Sequence, residues 1–174
     1  MSSEQDAAEQ ARAICLRLLE HRPRTASELA TALRGKGIPT EVAEEVLGRF
    51  ADVGIVDDAL FARMWVDSRH RARGLSRQAL RQELRRKGVD EELVRDAVEE
   101  LDPDEELATA RSLVRRKLAS TTGLAVDARV RRLAGMLARK GYPAGLAYRV
   151  VKEELEAEGA ELPVLDTDGL SSLG

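Results

Sequence analysis

Leucines four residues apart, each pair followed at a fixed distance by Lys-Gly, recur three times along the chain. The segments ELATALRGKGIPTEVAEEVLGRF (28–50), ALRQELRRKGVDEELVRDAVEEL (79–101) and RLAGMLARKGYPAGLAYRVVKEE (132–154) align without gaps. Leu29/Leu33, Leu80/Leu84 and Leu133/Leu137 mark the buried face of a first helix. Lys36-Gly37, Lys87-Gly88 and Lys140-Gly141 end it, 51 and then 53 residues apart. Gly beyond the last turn suits a left-handed cap because it lacks a Cβ, and Lys suits the negative end of the helix dipole. Apolar pairs after the glycine, such as Val42-Ala43 and Val46-Leu47, predict a second helix beginning near Thr40, Asp90 or Pro143. A further helix precedes each copy. These are roughly 6–21 with Ile14, Leu18 and Leu19; 58–72 with Phe61, Ala62, Trp65 and Val66; and about 103–118 with Leu107, Ala110, Leu113, Val114 and Leu118.

Capping residues punctuate these helices. Thr25 with Glu28 forms a capping box, Asp58 is expected to cap the Phe61 helix, and Pro103 takes the first helical position after Asp102. Ser76 and Asp127 are expected to cap the first helices of the second and third copies. The prediction is an all-α chain of three tandem three-helix modules, 7–56, 57–102 and 103–158, followed by a flexible tail, 159–174. Modules of about 50 residues have thin cores, so neighbours are expected to lean on one another.

Composition narrows the possible chemistry. Hydrophobic residues make up 43% and charged residues 34%, so a core and a heavily charged surface can coexist. Aromatics are only 3%, namely Trp65, Phe50, Phe61, Tyr142 and Tyr148, which argues against a β-sandwich and against base-stacking platforms. The single cysteine, Cys15, excludes an internal disulfide and sits in an apolar helical pattern that favours burial over nucleophilic work. Asp57-Asp58 could be a metal pair, but no His accompanies it, and capping is the simpler role. His21 and His70 stand among arginines near helix ends without a nucleophile in range. The chain has no phosphate-binding glycine loop, serine elbow or zinc spacing. No enzyme and no cofactor are expected. No apolar run approaches a membrane span, so a cytoplasmic protein is expected.

The net charge of −3 conceals an uneven distribution. Arg69 to Lys87 holds eight cations and one acid, whereas Asp90 to Glu106 holds ten acids and one Arg. Within the basic stretch, Arg77, Arg81 and Arg85 recur at i, i+4 and i+8, and such like-charge pairs repel by a few tenths of a kcal/mol each. Arg69, Arg71 and Arg73 precede them, and Arg86 and Lys87 follow. Either this is a solvated face partnered by Glu83 and the acidic helix, or it docks phosphates or an acidic protein surface. The eight cations are the candidate protein- and DNA-binding residues. Trp65, close by in sequence, is a core residue or an interface residue. The glycine turn also outlines a helix-turn-helix, which keeps a stand-alone DNA-binding regulator open as an alternative.

These residues resemble the RecX family, bacterial regulators of the RecA recombinase. The likeness rests on Arg22, Thr25, Glu28, Leu29, Leu33, Lys36 and Gly37, on Asp57, Asp58, Phe61 and Ala62, and on R-x-R-G-x-S-x-x-x-L-x-x-E-L-x-x-K-G from Arg71 to Gly88. It covers roughly residues 10–100, while the third copy, through Tyr148, fits more loosely. The long Thr121 to Ala128 connection and the tail beyond about 158 depart from the pattern. The resemblance implies an elongated, curved array of three-helix modules lying in the groove of the RecA–DNA filament. There it would hinder filament extension, ATP hydrolysis and strand exchange, affecting recombination and DNA repair. It also implies direct, mainly non-specific DNA binding. A monomer is expected, and any DNA contact should run through phosphates.

Overall fold

The computed structural model describes residues 2–160, and every described element is helical. Helices α1 (Ser3–His21), α2 (Ala26–Gly35) and α3 (Thr40–Asp52) come first, then α4 (Asp58–Arg73), α5 (Arg77–Arg86) and α6 (Glu91–Glu99). The third set is α7 (Pro103–Leu118), a 3₁₀ turn at Ala119–Thr121, α8 (Val126–Arg139) and α9 (Ala144–Glu158). The tail expected from Gly159 lies almost wholly outside the described residues. Gly159 itself closes α9 in the left-handed conformation, φ 93°.

Three separate cores hold these helices together. The first gathers Ala11 and Cys15 of α1, Leu29 and Leu33 of α2, and Val42, Val46 and Phe50 of α3. The second gathers Phe61, Ala62 and Val66 of α4, Leu80 and Leu84 of α5, and Val94, Ala97 and Val98 of α6. The third gathers Ala110 and Val114 of α7, Leu133 and Leu137 of α8, and Ala147, Val150, Val151 and Leu155 of α9. All six repeat leucines are buried to 1% exposure or less, so the repeated pattern is the repeated core. Burial pushes the Cys15 thiol up, which leaves it protonated and inert. The chain divides after Asp102 into two compact units, the first holding two of the cores and the second holding the third.

The glycine ends behave as the sequence predicts. Gly37, Gly88 and Gly141 have φ of 80°, 77° and 91°, a region that a residue with a Cβ enters only at a cost. One helix start and two caps differ from expectation. Helix α1 starts at Ser3 rather than near residue 6, because Ser2 and Gln5 form a capping box. Asp57, not Asp58, caps α4 by accepting from the Leu60 N–H at 3.0 Å. Asp127 caps nothing: Ala125 holds the cap position of α8 without a side-chain bond, and Asp127 lies in the first turn.

The long connection after α7 is tied down by one buried arginine. Arg129 donates from Nε to the Thr121 hydroxyl at 3.0 Å, and from Nη2 to the Leu118 carbonyl at 3.3 Å and Glu158 at 2.7 Å. A buried guanidinium is tolerated because its donors are matched in this way.

Candidate functional site

The basic stretch spans the end of α4, a short turn and all of α5. Gly74, in the left-handed conformation at φ 65°, ends α4. The His70 ring then donates from Nδ1 to the Leu75 carbonyl at 2.8 Å, and Ser76 caps α5 through the Ala79 N–H at 3.1 Å. Leu80 and Leu84 face the core, and Arg77, Arg81 and Arg85 follow one another along a flank of α5, the first two half-buried and Arg85 exposed.

The eight cations do not share one environment. Arg71 pairs with Asp67 on its own helix at 3.0 Å. Arg85 grips Glu91 across the glycine turn with two bonds, Nε to Oε1 at 2.6 Å and Nη2 to Oε2 at 3.1 Å. That bond holds the exposed Glu91 carboxyl below its ordinary value and raises the Arg85 guanidinium. Arg73 is exposed and Arg77 half-buried. Among the described residues no ion pair engages Arg69, Arg81 or Arg86. Arg81 and Arg85 border a groove of about 680 Å³, whose other side is the acidic start of α6, Asp90, Glu91 and Glu92.

Lys87 is the structural member of the set. Its ammonium stands 4.5 Å from the centre of the Trp65 ring and 3.8 Å from Glu28 of the first module. Phe61, Trp65 and Arg69 follow at i, i+4 and i+8 on α4, with Phe61 stacked on Trp65 at 5.7 Å and the Arg69 guanidinium 4.2 Å from the Trp65 ring centre. Each cation over the ring contributes about 0.5–1 kcal/mol. The Trp65 indole N–H donates to Glu83 of α5 at 2.9 Å, so one aromatic residue sets α4 and α5 against each other.

The same corner fastens the second module to the first. The Thr25 hydroxyl accepts from the Glu28 N–H and donates to the Lys87 carbonyl at 2.7 Å, satisfying a free helix end on each side. Asp58, displaced from the predicted cap, accepts from the Ala26 N–H at 2.9 Å and so completes the start of α2. Burial pushes the Asp58 carboxyl up; the Ala26 bond opposes this, and the charges of Asp57 and Glu28 add to it. Burial also raises Glu28, but the Arg22 hydrogen bond, the Thr25 backbone bond and the charges of Lys87 and Arg22 outweigh it and leave the carboxyl lowered. Asp58→Ala is expected to cost about 1–2 kcal/mol, the loss of a helix-end hydrogen bond. Asp58→Asn keeps an acceptor oxygen without the buried charge and should stay close to the parent. Urea unfolding of both variants checks this.

Sequence reasoning reached the strip but missed its anchors. Glu28, Asp58 and Glu83 acquire their roles only through contacts made when the two modules, or α4 and α5, come together. For Trp65, the spacing to Phe61 and Arg69 was the available signal. Among the described residues no cluster of His, Cys, Asp or Glu suits a metal ion, and no helix is long and apolar enough to cross a membrane.

Comparison with known proteins supplies the family. Models of the first, second and third three-helix domains of RecX match residues 11–50, 57–98 and 104–151. The regulatory protein RecX of Thermobifida fusca is 63% identical over 158 residues, covering 91% of this chain and 85% of that protein. The Streptomyces coelicolor protein of the same name is 57% identical over 164 residues, covering 94% and 87%. A crystal structure of RecX from Lactobacillus salivarius, only 17% identical, shares the fold with a TM-score of 0.78 over 86% of this chain and 97% of that one. With three matched domains in order and relatives this close, the chain belongs to the RecX family of regulatory proteins.

Proposed function

We propose that this regulatory protein acts on a RecA recombinase filament assembled on DNA, docking through the basic face of its second module. On this reading it works by occupancy rather than catalysis, as a cytoplasmic monomer, and slows filament extension, ATP hydrolysis and strand exchange. The observation that carries the docking site is the set of cations outside ion pairs, Arg69, Arg81 and Arg86. All three belong to the second module, Arg69 on α4 and Arg81 and Arg86 on α5, and Lys87 and Asp58 of that module hold it to the first. Arg69, held over the Trp65 ring, is already ordered, so less entropy is lost when it meets an anionic partner. DNA contacts would engage phosphates, because few rings exist for stacking.

In the first two modules the helix-turn-helix alternative fits the charges poorly. The helix after the Gly88 turn carries Glu91, Glu92, Asp96 and Glu99, and the helix after Gly37 carries Glu41, Glu44 and Glu45. Either would repel phosphates if laid in a groove. The test is RecA ATP hydrolysis on single-stranded DNA with increasing amounts of this chain. Hydrolysis is expected to fall at chain concentrations below that of RecA. Unchanged hydrolysis at equimolar chain would refute the proposal.

A further inference from the structure

The third module has its own arrangement of charge. Arg111, Arg115 and Arg129 pair with Glu153, Glu154 and Glu158, so three arginines of α7 and α8 are neutralised by acids of α9. Three other cations are not. Lys117 at the end of α7 and Arg132 and Arg139 of α8 line one pocket of about 210 Å³, floored by Leu133 and Met136. No acid lines it, and among the described residues no ion pair or side-chain hydrogen bond engages these three side chains. Lys117 and Arg139 lie in last helical turns, where a cation is favourable in itself. Arg132 is mid-helix, and no dipole accounts for its place there. Gly135 leaves the Arg139 guanidinium room to fold back along α8, with Nη1 3.4 Å from where a Cβ would stand.

The pocket's hydroxyls are already committed. Ser120 donates to the Lys117 carbonyl at 2.7 Å; Thr121 donates to the Leu118 carbonyl at 2.8 Å and accepts from Arg129. A neutral sugar or amide would therefore meet charged donors and little else, whereas a compact anion would satisfy them. The volume lies below the roughly 300 Å³ at which small-molecule pockets begin, which suits one anionic group. All three cations are exposed, so a strand crossing the surface can present that group. We propose that Lys117, Arg132 and Arg139 form a second anion site, which holds a backbone phosphate of single-stranded DNA. The site is contained within the third module and does not depend on recombinase docking by the second.

Fluorescence anisotropy of a labelled single strand of about 20 nucleotides, across a salt series without recombinase, tests this on the full chain. The Lys117→Gln, Arg132→Gln, Arg139→Gln triple variant is expected to bind at least tenfold more weakly at low salt. Its log–log salt slope should fall by about 0.7, the share of the one phosphate that goes unneutralised. The single Arg132→Gln variant, exposed and conservative for a helix, should weaken binding and lower the slope in the same direction by less than the triple variant, without disturbing the fold. Slopes and affinities within twofold of the parent for both would overturn the site. So would amide shifts at residues 117–121 on adding inorganic phosphate while strand binding by the variants stays unchanged, which would assign the pocket to free phosphate instead.

Discussion

Reversing Arg69, Arg81 and Arg86 together to Glu is expected to raise the concentration needed to halve RecA ATP hydrolysis by about a hundredfold or more. A unit charge pair at about 4 Å in water is worth about 1 kcal/mol, and reversal turns that attraction into an equal repulsion. Three reversals therefore amount to about 6 kcal/mol, of which screening and side-chain rearrangement remove about half. The remainder corresponds to a factor of about a hundred. The choice of residues matters. Arg85 and Lys87 are spared because Glu91 and Glu28 hold them, and reversing either would disturb the turn or the joint. Arg69 does lie over Trp65, so the variant should lose about 0.5–1 kcal/mol of stability, visible as a small drop in melting temperature. A folded triple variant that inhibits as well as the parent would remove the strip from the mechanism.

Gly88→Ala is expected to destabilise the first unit far more than Gly37→Ala, although the two glycines hold the same place in the repeat. Both have left-handed φ, 77° and 80°, where any other residue costs about 1–2 kcal/mol. Around Gly37 the space is open, so its variant should show that cost alone. A Cβ on Gly88 would collide with the Ser27 side chain, at the joint where Thr25 and Ala26 meet Lys87 and Asp58. Either Ser27 or the whole α2 start must move, adding about 1–3 kcal/mol of strain. Urea unfolding of the two variants reads the difference directly. Equal destabilisation would mean that the joint yields without cost.

The repeat explains why so much of the fold was legible in the sequence. Leucine pairs, Lys-Gly ends, the Thr25 capping box and Pro103 are local signals, and each is fixed by residues within one or two helical turns. What stayed hidden is long-range. Which of two adjacent aspartates caps α4 depends on Asp58 finding the Ala26 N–H, 32 residues away. The Thr25 to Lys87 bond spans 62 residues. For the same reason the basic stretch could be located but not sorted. Only the fold shows that Glu91 takes Arg85, that Glu28 and Trp65 take Lys87, and that Arg69 and Arg81 remain outside ion pairs. The pocket of Lys117, Arg132 and Arg139 was invisible for the same reason, since its cations come from two helices joined by a connection without repeat character.

Co-sedimentation decides whether the second module's basic residues dock on a RecA–DNA filament. The parent chain and the Arg69, Arg81, Arg86 reversal would each be spun with filaments on single-stranded DNA and, separately, with the same DNA alone. The parent is expected to pellet with filaments at lower concentration than with bare DNA, and the reversal to lose the filament-bound fraction. Equal pelleting of parent and reversal with filaments, both folded, would contradict it.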